Sequence, residues 1–181
     1  TTSGTTGVPK MITIKKQSMV HSAIATGSYF NLHPQDKALL CLPARYIAGK
    51  MMIVRSMMLG LELDIMVSTS HLDDLLPHKN YDFVAIVPLQ AENSLEKLHQ
   101  FKKIIIGGAK VSDDLAKKLK EIKSDIYETY GMTETITHIA AKKIGEEFFT
   151  ILEHVAISTD DRNCLVIEVP SISDEEIVTN D

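Results

Sequence analysis

Cysteine and tryptophan are scarce in this sequence, which contains two Cys and no Trp in 181 residues. Cys41 and Cys164 lie far apart, and no CxxC pair occurs. Neither a disulfide framework nor a cysteine zinc site is therefore expected, and this usage fits a reducing cytoplasm. The seven histidines show no HxxxH or HExxH spacing, so the sequence predicts no transition-metal site.

Positive charge and long apolar runs are also in short supply. The 19 Lys and Arg against 24 Asp and Glu give a formal net charge of -5, which offers no basic surface to nucleic acid or to an anionic membrane. The most apolar segment, residues 38–67, is interrupted by Arg45, Lys50 and Arg55, so it lacks the run of about 18 to 20 uncharged apolar residues that a membrane span needs. The sequence has no initiating Met and no signal segment, which indicates one domain cut from a longer protein.

Apolar segments alternate with helical patterns over the first 131 residues. Strands are predicted at 11–16, 37–43, 61–67, 82–88, 102–108 and 124–131. Helices are predicted at 17–31, 47–60, 71–79, 89–101 and 111–122, the second closed by Gly60 and the last capped by Ser112. Apolar strands separated by helices are typical of a parallel sheet covered by helices on both faces, so the sequence predicts a doubly wound α/β fold.

The pattern changes after residue 134. Short strands are predicted at 137–143, 147–153, 155–160, 164–170 and 176–181, with turn-rich or charged pieces between them. This spacing indicates a small, mainly antiparallel β section. We expect residues 1–134 to form the α/β part and residues 135–181 the β section of one domain.

The opening loop, "TTSGTTGVPK" at 1–10, has the composition of a phosphate-binding loop and also of a linker. It is not a Walker A motif, because Pro9 stands where that motif needs glycine. Its glycines, its hydroxyls and Lys10 could still present backbone N–H groups, donors and a positive charge to phosphate. Composition alone leaves both interpretations open.

Two further loops favour nucleotide binding. "YGMTE" at 130–134 combines an aromatic ring, a glycine, a hydroxyl and a carboxylate, which could stack on a base, turn the chain, bind phosphate and ligate magnesium. Taken alone it could equally be a helix start capped by Thr133. "GGA" at 107–109 follows a buried strand, where α/β sheets usually bind ligands, although paired glycines are common in tight turns.

With these loops in this order, the sequence resembles the adenylate-forming enzymes, which include acyl- and aryl-CoA ligases, luciferase-like enzymes and peptide-synthetase adenylation domains. "TSGTTGVPK" matches the phosphate loop of that family, "GGA" its adenine-contacting turn and "YGMTE" its most diagnostic motif. The final "TND" is similar to the family's T-G-D, whose Asp binds the ribose. Asn180 replaces the glycine there, a mild change because Asn tolerates left-handed backbone.

The resemblance implies a set of site residues. Those around the β and γ phosphates would be Thr2, Ser3, Gly4, Thr5, Thr6, Gly7 and Lys10. Other ATP contacts would come from Gly107, Gly108, Ala109, Tyr130, Gly131, Met132, Thr133 and Asp181. Lys10, Thr133 and Glu134 would be catalytic, with Tyr130 on adenine, Thr133 at the α phosphate and Glu134 on Mg²⁺. The reaction implied is attack of a carboxylate on ATP to give an acyl adenylate and pyrophosphate, after which coenzyme A displaces AMP.

The segment "LPARYIAG" bears on the acid substrate. It matches the family's L-P-x-x-H-x-x-G with Tyr46 in place of the His that shapes and gates the acyl pocket. Together with "YGMTETITHIAAKKI" it resembles the o-succinylbenzoate-CoA ligases of menaquinone biosynthesis. Arg55 is a candidate for the second carboxylate of such a substrate, because arginine binds carboxylates with two hydrogen bonds. Arg45, Lys50 and His138 compete with it, and each could instead be a solvated charge or an ordinary strand residue.

Parts of the family pattern have no counterpart in this chain. The family's C-terminal lid domain, which carries a lysine that supports adenylation, would follow "TND", and part of the large domain would precede the opening loop. We therefore expect little or no turnover from this chain alone. A fatty-acyl or aryl-acid ligase, and a noncatalytic nucleotide-binding module, remain alternatives.

Overall fold

The computed structural model describes residues 12–173 and 175–179. Over these residues the helices are α1 (Lys16–Tyr29), α2 (Ile47–Leu59), α3 (Pro88–Asn93) and α4 (Asp113–Lys120), with a 3₁₀ helix at Leu95–Gln100. The strands are β1 (Lys37–Leu40), β2 (Glu62–Ile65), β3 (Tyr81–Ile86), β4 (Phe101–Ile106), β5 (Asp125–Gly131), β6 (His138–Lys143), β7 (Thr150–Ile151), β8 (Ala156–Thr159), β9 (Leu165–Glu168) and β10 (Ile177–Val178).

A seven-stranded sheet in the order β2-β1-β3-β4-β5-β6-β7 forms the centre of the fold. Strands β1 to β5 pair in parallel, and β6 and β7 continue the sheet antiparallel. On one face, Phe30 at the end of α1 and Met52 of α2 pack against Phe83. On the other face, Ala91 of α3 and Leu115 of α4 join the second core cluster. The predicted parallel sheet with helices on both faces is therefore confirmed.

A separate three-stranded antiparallel sheet, in the order β10-β9-β8, follows the large sheet. Its inner face buries Ile167 and Val169 against Ile139 of β6. The small antiparallel section is thus confirmed, although β6 and β7, which come after residue 134, belong to the large sheet. The division of the chain at residue 134 stays a prediction.

Two helix ends follow their local chemistry. Gly60 ends α2 with φ of 69°, a left-handed conformation that glycine adopts without steric cost. Ser112 caps α4, and its hydroxyl accepts a hydrogen bond from the N–H of Leu115 at 3.2 Å. Both predictions are confirmed.

The helix predicted at 71–79 is wrong, because this segment consists of turns and irregular backbone. Two backbone bonds close single turns there, from the N–H of Leu75 to the carbonyl oxygen of Leu72 and from the N–H of Lys79 to that of Leu76. Other backbone groups of the segment bond side chains that are distant in sequence. Ser94 Oγ accepts from the N–H of Leu72 at 2.8 Å, and Gln100 Nε2 donates to the carbonyl oxygen of Leu76 at 2.8 Å. Pro77 has no N–H to offer a helix.

Two other local predictions need correction. Residues 12–15 form no strand, and α1 begins at Lys16. Ile14 packs instead against the cluster of Ala23 and Met51, between helices. The single helix predicted at 89–101 is divided into α3 and the 3₁₀ helix, and Phe101 already belongs to β4.

Candidate active site

An open cleft of about 690 Å³ lies at the carboxyl ends of the parallel strands. Its walls include Ser68 to Ser70 after β2, Val87 after β3, Gly107 and Gly108 after β4, and Met132 to Glu134 after β5. The carboxyl edge of a parallel sheet is the usual place for a ligand. The loops after β4 and β5, two of the loops predicted to bind nucleotide, therefore line one cavity.

Most of the predicted site residues within the described ranges line this cleft: Tyr46, Arg55, Gly107, Gly108, Gly131, Met132, Thr133, Glu134 and His138. Ala109 is exposed next to it. Tyr130 is not a lining residue, and its half-buried ring packs against the cluster of Ile139, Ile167 and Val169. The roles of these residues stay predictions. Thr2, Ser3, Gly4, Thr5, Thr6, Gly7, Lys10 and Asp181 lie outside the described residues.

The segment from Gly131 to His138 bends back sharply at the end of β5. A Cβ atom at Gly131 would collide with the carbonyl oxygen of Thr137 and would lie 2.6 Å from the Cα of His138. The register of the β5 and β6 pair shifts at the same point, between Tyr130 and Gly131. Only glycine leaves room for this return, which explains the glycine of "YGMTE".

Thr133 and Glu134 lie at the tip of this turn. The carboxylate of Glu134 is exposed, and the hydroxyl of Thr133 is half-buried at the cleft wall. Hard oxygen donors of this kind suit Mg²⁺, which keeps several water or phosphate ligands. No three His, Cys, Asp or Glu side chains converge within the described ranges, so a metal bound to Glu134 would take its other ligands from phosphate and water. The donor chemistry of the loop fits magnesium in this form.

The paired glycines after β4 provide a flat wall. Gly108 has φ of 83°, and a Cβ atom at Gly107 would lie 2.7 Å from Thr129 Oγ1. That hydroxyl donates to the carbonyl oxygen of Ile106 at 3.1 Å. A larger residue at either position would disturb this wall, and this steric constraint explains why both residues are glycine.

Glu128, which the sequence argument did not single out, holds the end of the glycine loop. Its Oε1 accepts from the N–H of Val111 at 2.9 Å, and its Oε2 lies 3.2 Å from Lys142 Nζ. The side chain of Glu128 is 9% exposed. The sequence signal for this role was a glutamate within a strand predicted to be buried, because a buried carboxylate needs hydrogen-bond or charged partners.

Arg55 is a buried cation at the cleft. Its residue is 2% exposed, and no Asp or Glu of the described chain lies within ion-pair distance of it. Among the described residues Nε has no hydrogen-bond partner, and Nη1 contacts Met52 Sδ at 3.7 Å. Burial lowers the pKa of Arg55 to about 10, so the guanidinium remains positive at neutral pH. It faces the cleft with no counter-charge from the part of the chain that the structure describes.

His138 lies beside this guanidinium and is also buried. Desolvation, and secondly the charge of Arg55, lower the pKa of His138 to about 3, so the imidazole is neutral. Its Nε2 is 3.5 Å from Thr26 Oγ1, and its ring packs edge-on against Phe30 with centroids 5.6 Å apart. A neutral histidine offers one donor and one acceptor to a ligand.

The other basic candidates lie outside the cleft wall. Arg45 and Lys50 are exposed and do not line it. The guanidinium carbon of Arg45 lies 4.8 Å from the ring centroid of Tyr46, which does line the cleft. Gly49 lets α2 approach the "LP" segment closely, since a Cβ there would lie 2.5 Å from the carbonyl oxygen of Pro43. Of the four basic candidates, Arg55 and His138 are the ones at the cleft.

Two hydroxyls of α1 also reach the site, and sequence reasoning missed them. Ser22 Oγ lies 3.2 Å from Thr137 Oγ1, and Thr26 approaches His138. Both are buried and four residues apart. Polar residues at helical spacing on an otherwise packed helix were the signal for such a contact.

A model of the AMP-binding enzyme family matches residues 1–160. The 2-succinylbenzoate–CoA ligase of Oceanobacillus iheyensis is 25% identical over an alignment of 159 residues that covers 80% of this chain and 33% of that protein. The corresponding ligase of Bacillus cereus is 28% identical over an alignment of 148 residues that covers 76% of this chain and 30% of that protein. The chain thus spans about a third of the length of these relatives.

Solved structures share the fold. An acyl-CoA synthetase (AMP-forming)/AMP-acid ligase II-like protein from Dyadobacter fermentans superposes with a TM-score of 0.90 at 37% identity, over 99% of this chain and 54% of that chain. The o-succinylbenzoate coenzyme A synthetase of Bacillus subtilis, in complex with ATP and magnesium, gives a TM-score of 0.80 at 20% identity, over 97% of this chain and 41% of that chain. Across the described ranges, every helix is too short or too polar to cross a bilayer.

Proposed function

The chain belongs to the AMP-binding enzyme family, and from this premise we propose that the protein containing it is an ATP-dependent acid–CoA ligase acting on o-succinylbenzoate in menaquinone biosynthesis. The acid would attack the α phosphorus of ATP to give an acyl adenylate and pyrophosphate. The thiol of coenzyme A would then displace AMP. A cytoplasmic location accords with this proposal.

The buried guanidinium of Arg55 is the observation that carries the choice of acid. A buried charge without a partner is costly, and an anionic ligand removes that cost when it binds. Arg55 has no carboxylate neighbour among the described residues and opens onto the cleft. A dicarboxylate such as o-succinylbenzoate can place one carboxylate at the α phosphate and the other at Arg55. Monocarboxylates would leave the guanidinium unpaired.

The remaining lining residues suit the acid's apolar body and its orientation. Tyr46 and Ile47, both only partly buried, offer apolar surface on the cleft wall. The neutral imidazole of His138 can donate or accept one hydrogen bond next to the carboxylate that Arg55 holds. These contacts would bind and orient the acid without adding a competing negative charge.

The nucleotide would lie on the loops after β4 and β5. We assign Gly107, Gly108, Ala109 and Tyr130 to adenine, Thr133 to the α phosphate and Glu134 to magnesium. The phosphate loop at 1–10 and Asp181 complete the proposal, outside the described residues. Magnesium, when bound, neutralises charge that accumulates on the phosphates. Positioning of two anionic reactants can lower a barrier by up to about 7 to 11 kcal/mol.

ATP–pyrophosphate exchange with the full-length protein tests this function. We expect exchange to depend on o-succinylbenzoate and to be weak with benzoate or a fatty acid. In Arg55→Ala the KM for o-succinylbenzoate should rise about 10- to 100-fold, because a hydrogen bond to a charged group contributes about 1.5 to 3 kcal/mol. The KM for ATP should stay unchanged.

Lys50→Ala is the matched control, since Lys50 lies on the same helix as Arg55, is exposed and does not line the cleft. It should leave both KM values at the wild-type level. Preference for a monocarboxylate would identify another adenylate-forming ligase instead. Nucleotide binding without exchange on any acid would identify a noncatalytic module.

A further inference from the structure

The hydroxyl of Thr135 lies inside the turn that presents Thr133 and Glu134. Thr135 is fully buried and is not among the residues that line the cleft. Its Oγ1 lies 2.9 Å from the backbone nitrogen of Met132, 3.0 Å from the carbonyl oxygen of Met132 and 2.7 Å from the carbonyl oxygen of Thr137. These partners stand on the two sides of the tip.

A hydroxyl has one proton and two lone pairs, so the three contacts cannot all use the proton. The N–H of Met132 donates to Oγ1. The hydroxyl proton can then go to Thr137, the nearer of the two carbonyl oxygens. One side chain thereby joins the start of the turn to its end.

The neighbouring residue, Ile136, keeps the turn in a conformation that its own backbone disfavours. Its φ is 66°, which is a sterically costly value for a β-branched residue. The side chain is 2% exposed and packs with Ala23 and Met51. Its N–H also donates to the carbonyl oxygen of Thr133 at 3.0 Å. Such strain persists only where surrounding contacts hold it.

We propose that Thr135 is a positioning residue that fixes the direction of Thr133 and Glu134 toward the nucleotide phosphates and magnesium. This inference rests on the proposed function, which assigns the two tip residues to ATP and Mg²⁺. Thr135 itself touches neither ligand. Without its hydroxyl, the N–H of Met132 and the carbonyl of Thr137 lose their shared partner, and the strained backbone at Ile136 loses a restraint.

Replacement of the hydroxyl by a methyl group tests the role in the full-length protein. Thr135→Val should raise the Mg²⁺ concentration for half-maximal ATP–pyrophosphate exchange and lower kcat about tenfold or more, with the KM for the acid within about twofold of wild type. Thr135→Ser keeps the hydroxyl and should restore both values to within about threefold. Ser124→Ala removes a hydroxyl bonded to the carbonyl of Leu98 elsewhere in the fold and should change neither.

Two readouts separate this inference from the proposed function. Amide hydrogen exchange at Met132 should accelerate in Thr135→Val and remain slow in Thr135→Ser. Stabilisation of the protein by ATP should require more Mg²⁺ in Thr135→Val, whichever acid is the substrate. A wild type that exchanges with no acid would overturn the proposed function, while these two measurements would still decide the role of Thr135.

Three results would overturn the inference. The Val variant could keep the wild-type dependence on Mg²⁺ in both assays. Ser could fail to rescue, which would show that the methyl group and not the hydroxyl matters. Should the Val variant not fold, Thr135→Cys replaces it, because a thiol is a weak hydrogen-bond partner; a Cys variant with wild-type Mg²⁺ dependence would contradict the role.

Discussion

At the scale of single residues, the buried imidazole of His138 makes the stability of the fold depend on pH. The folded pKa is about 3, whereas an unfolded histidine titrates near about 6.5. Below about pH 6.5 the unfolded chain binds a proton that the folded chain excludes. The contribution of His138 is therefore fully present above about pH 6.5 and is lost as the pH falls toward 3.

We expect the free energy of unfolding of the wild type to fall by about 2 kcal/mol more than that of His138→Gln between about pH 7 and about pH 5. Urea unfolding of both proteins at several pH values measures this difference. His99→Gln is the control, because His99 is exposed and should keep the wild-type pH dependence. If the unfolding free energies of wild type and His138→Gln changed in parallel with pH, His138 would take up a proton in the folded protein as it does in the unfolded chain.

Residue-level chemistry was predictable only where the sequence carried a motif. The glycines of "GGA" and "YGMTE" and the carboxylate of Glu134 were found in this way, and the structure places them at the cleft. The burial of Arg55 was not predictable, since the sequence around it reads equally well as an amphipathic helix with a solvated charge. Three-dimensional packing of α2 against the sheet decides that point.

At the scale of elements, Glu128 connects three parts of the fold. It lies on β5, bonds the backbone just before α4 and pairs with Lys142 of β6. Removal of a buried carboxylate leaves a donor and a cation without a partner. Glu128→Ala should therefore lower the free energy of unfolding by about 2 kcal/mol or more.

Glu128→Gln should cost less than Glu128→Ala, because an amide oxygen can still accept from Val111 while the ion pair is lost. Asp114→Ala is the control, since the pair of Asp114 with Lys117 is 87% and 75% exposed and should leave stability almost unchanged. Denaturant midpoints of the three variants measure these differences. Equal losses of unfolding free energy in Glu128→Ala and Asp114→Ala would contradict the role of Glu128 in connecting β5, β6 and the segment before α4.

Most helices and strands could be predicted from patterns in the nearby sequence. Apolar strands and the capped helices α2 and α4 were predicted because their signals lie within a few residues. The segment at 71–79 was misread as helical because its partners, Ser94 and Gln100, lie about twenty residues further along the chain. A short sequence window contains no trace of those bonds.

At the scale of the whole molecule, stability should decrease from the centre of the large sheet to its edges. Strands β3 and β4 have neighbours on both sides and bury both faces. Strand β7 has two residues, both exposed, at one edge, and β10 is equally short at an edge of the small sheet. Central strands open only in global unfolding, whereas edges open locally.

Native-state amide hydrogen exchange should therefore be slowest at residues such as Val84 and Ile104 and much faster at Ile151 and Val178. Exchange followed by NMR measures the opening free energy of each amide. The small sheet provides an internal comparison, because its central strand, β9, should exchange more slowly than β10. Uniform protection across the two sheets would contradict this gradient.

The contacts between α1 and the turn after β5 bear on how this protein could be redesigned. Thr137 and His138 lie at the end of this turn, three and four residues after Glu134, and both contact hydroxyls of α1. A turn grafted alone from another family member would arrive without the helix surface that receives it. Residues 131–138 and α1 therefore belong together, and a chimera that exchanges the turn must carry both.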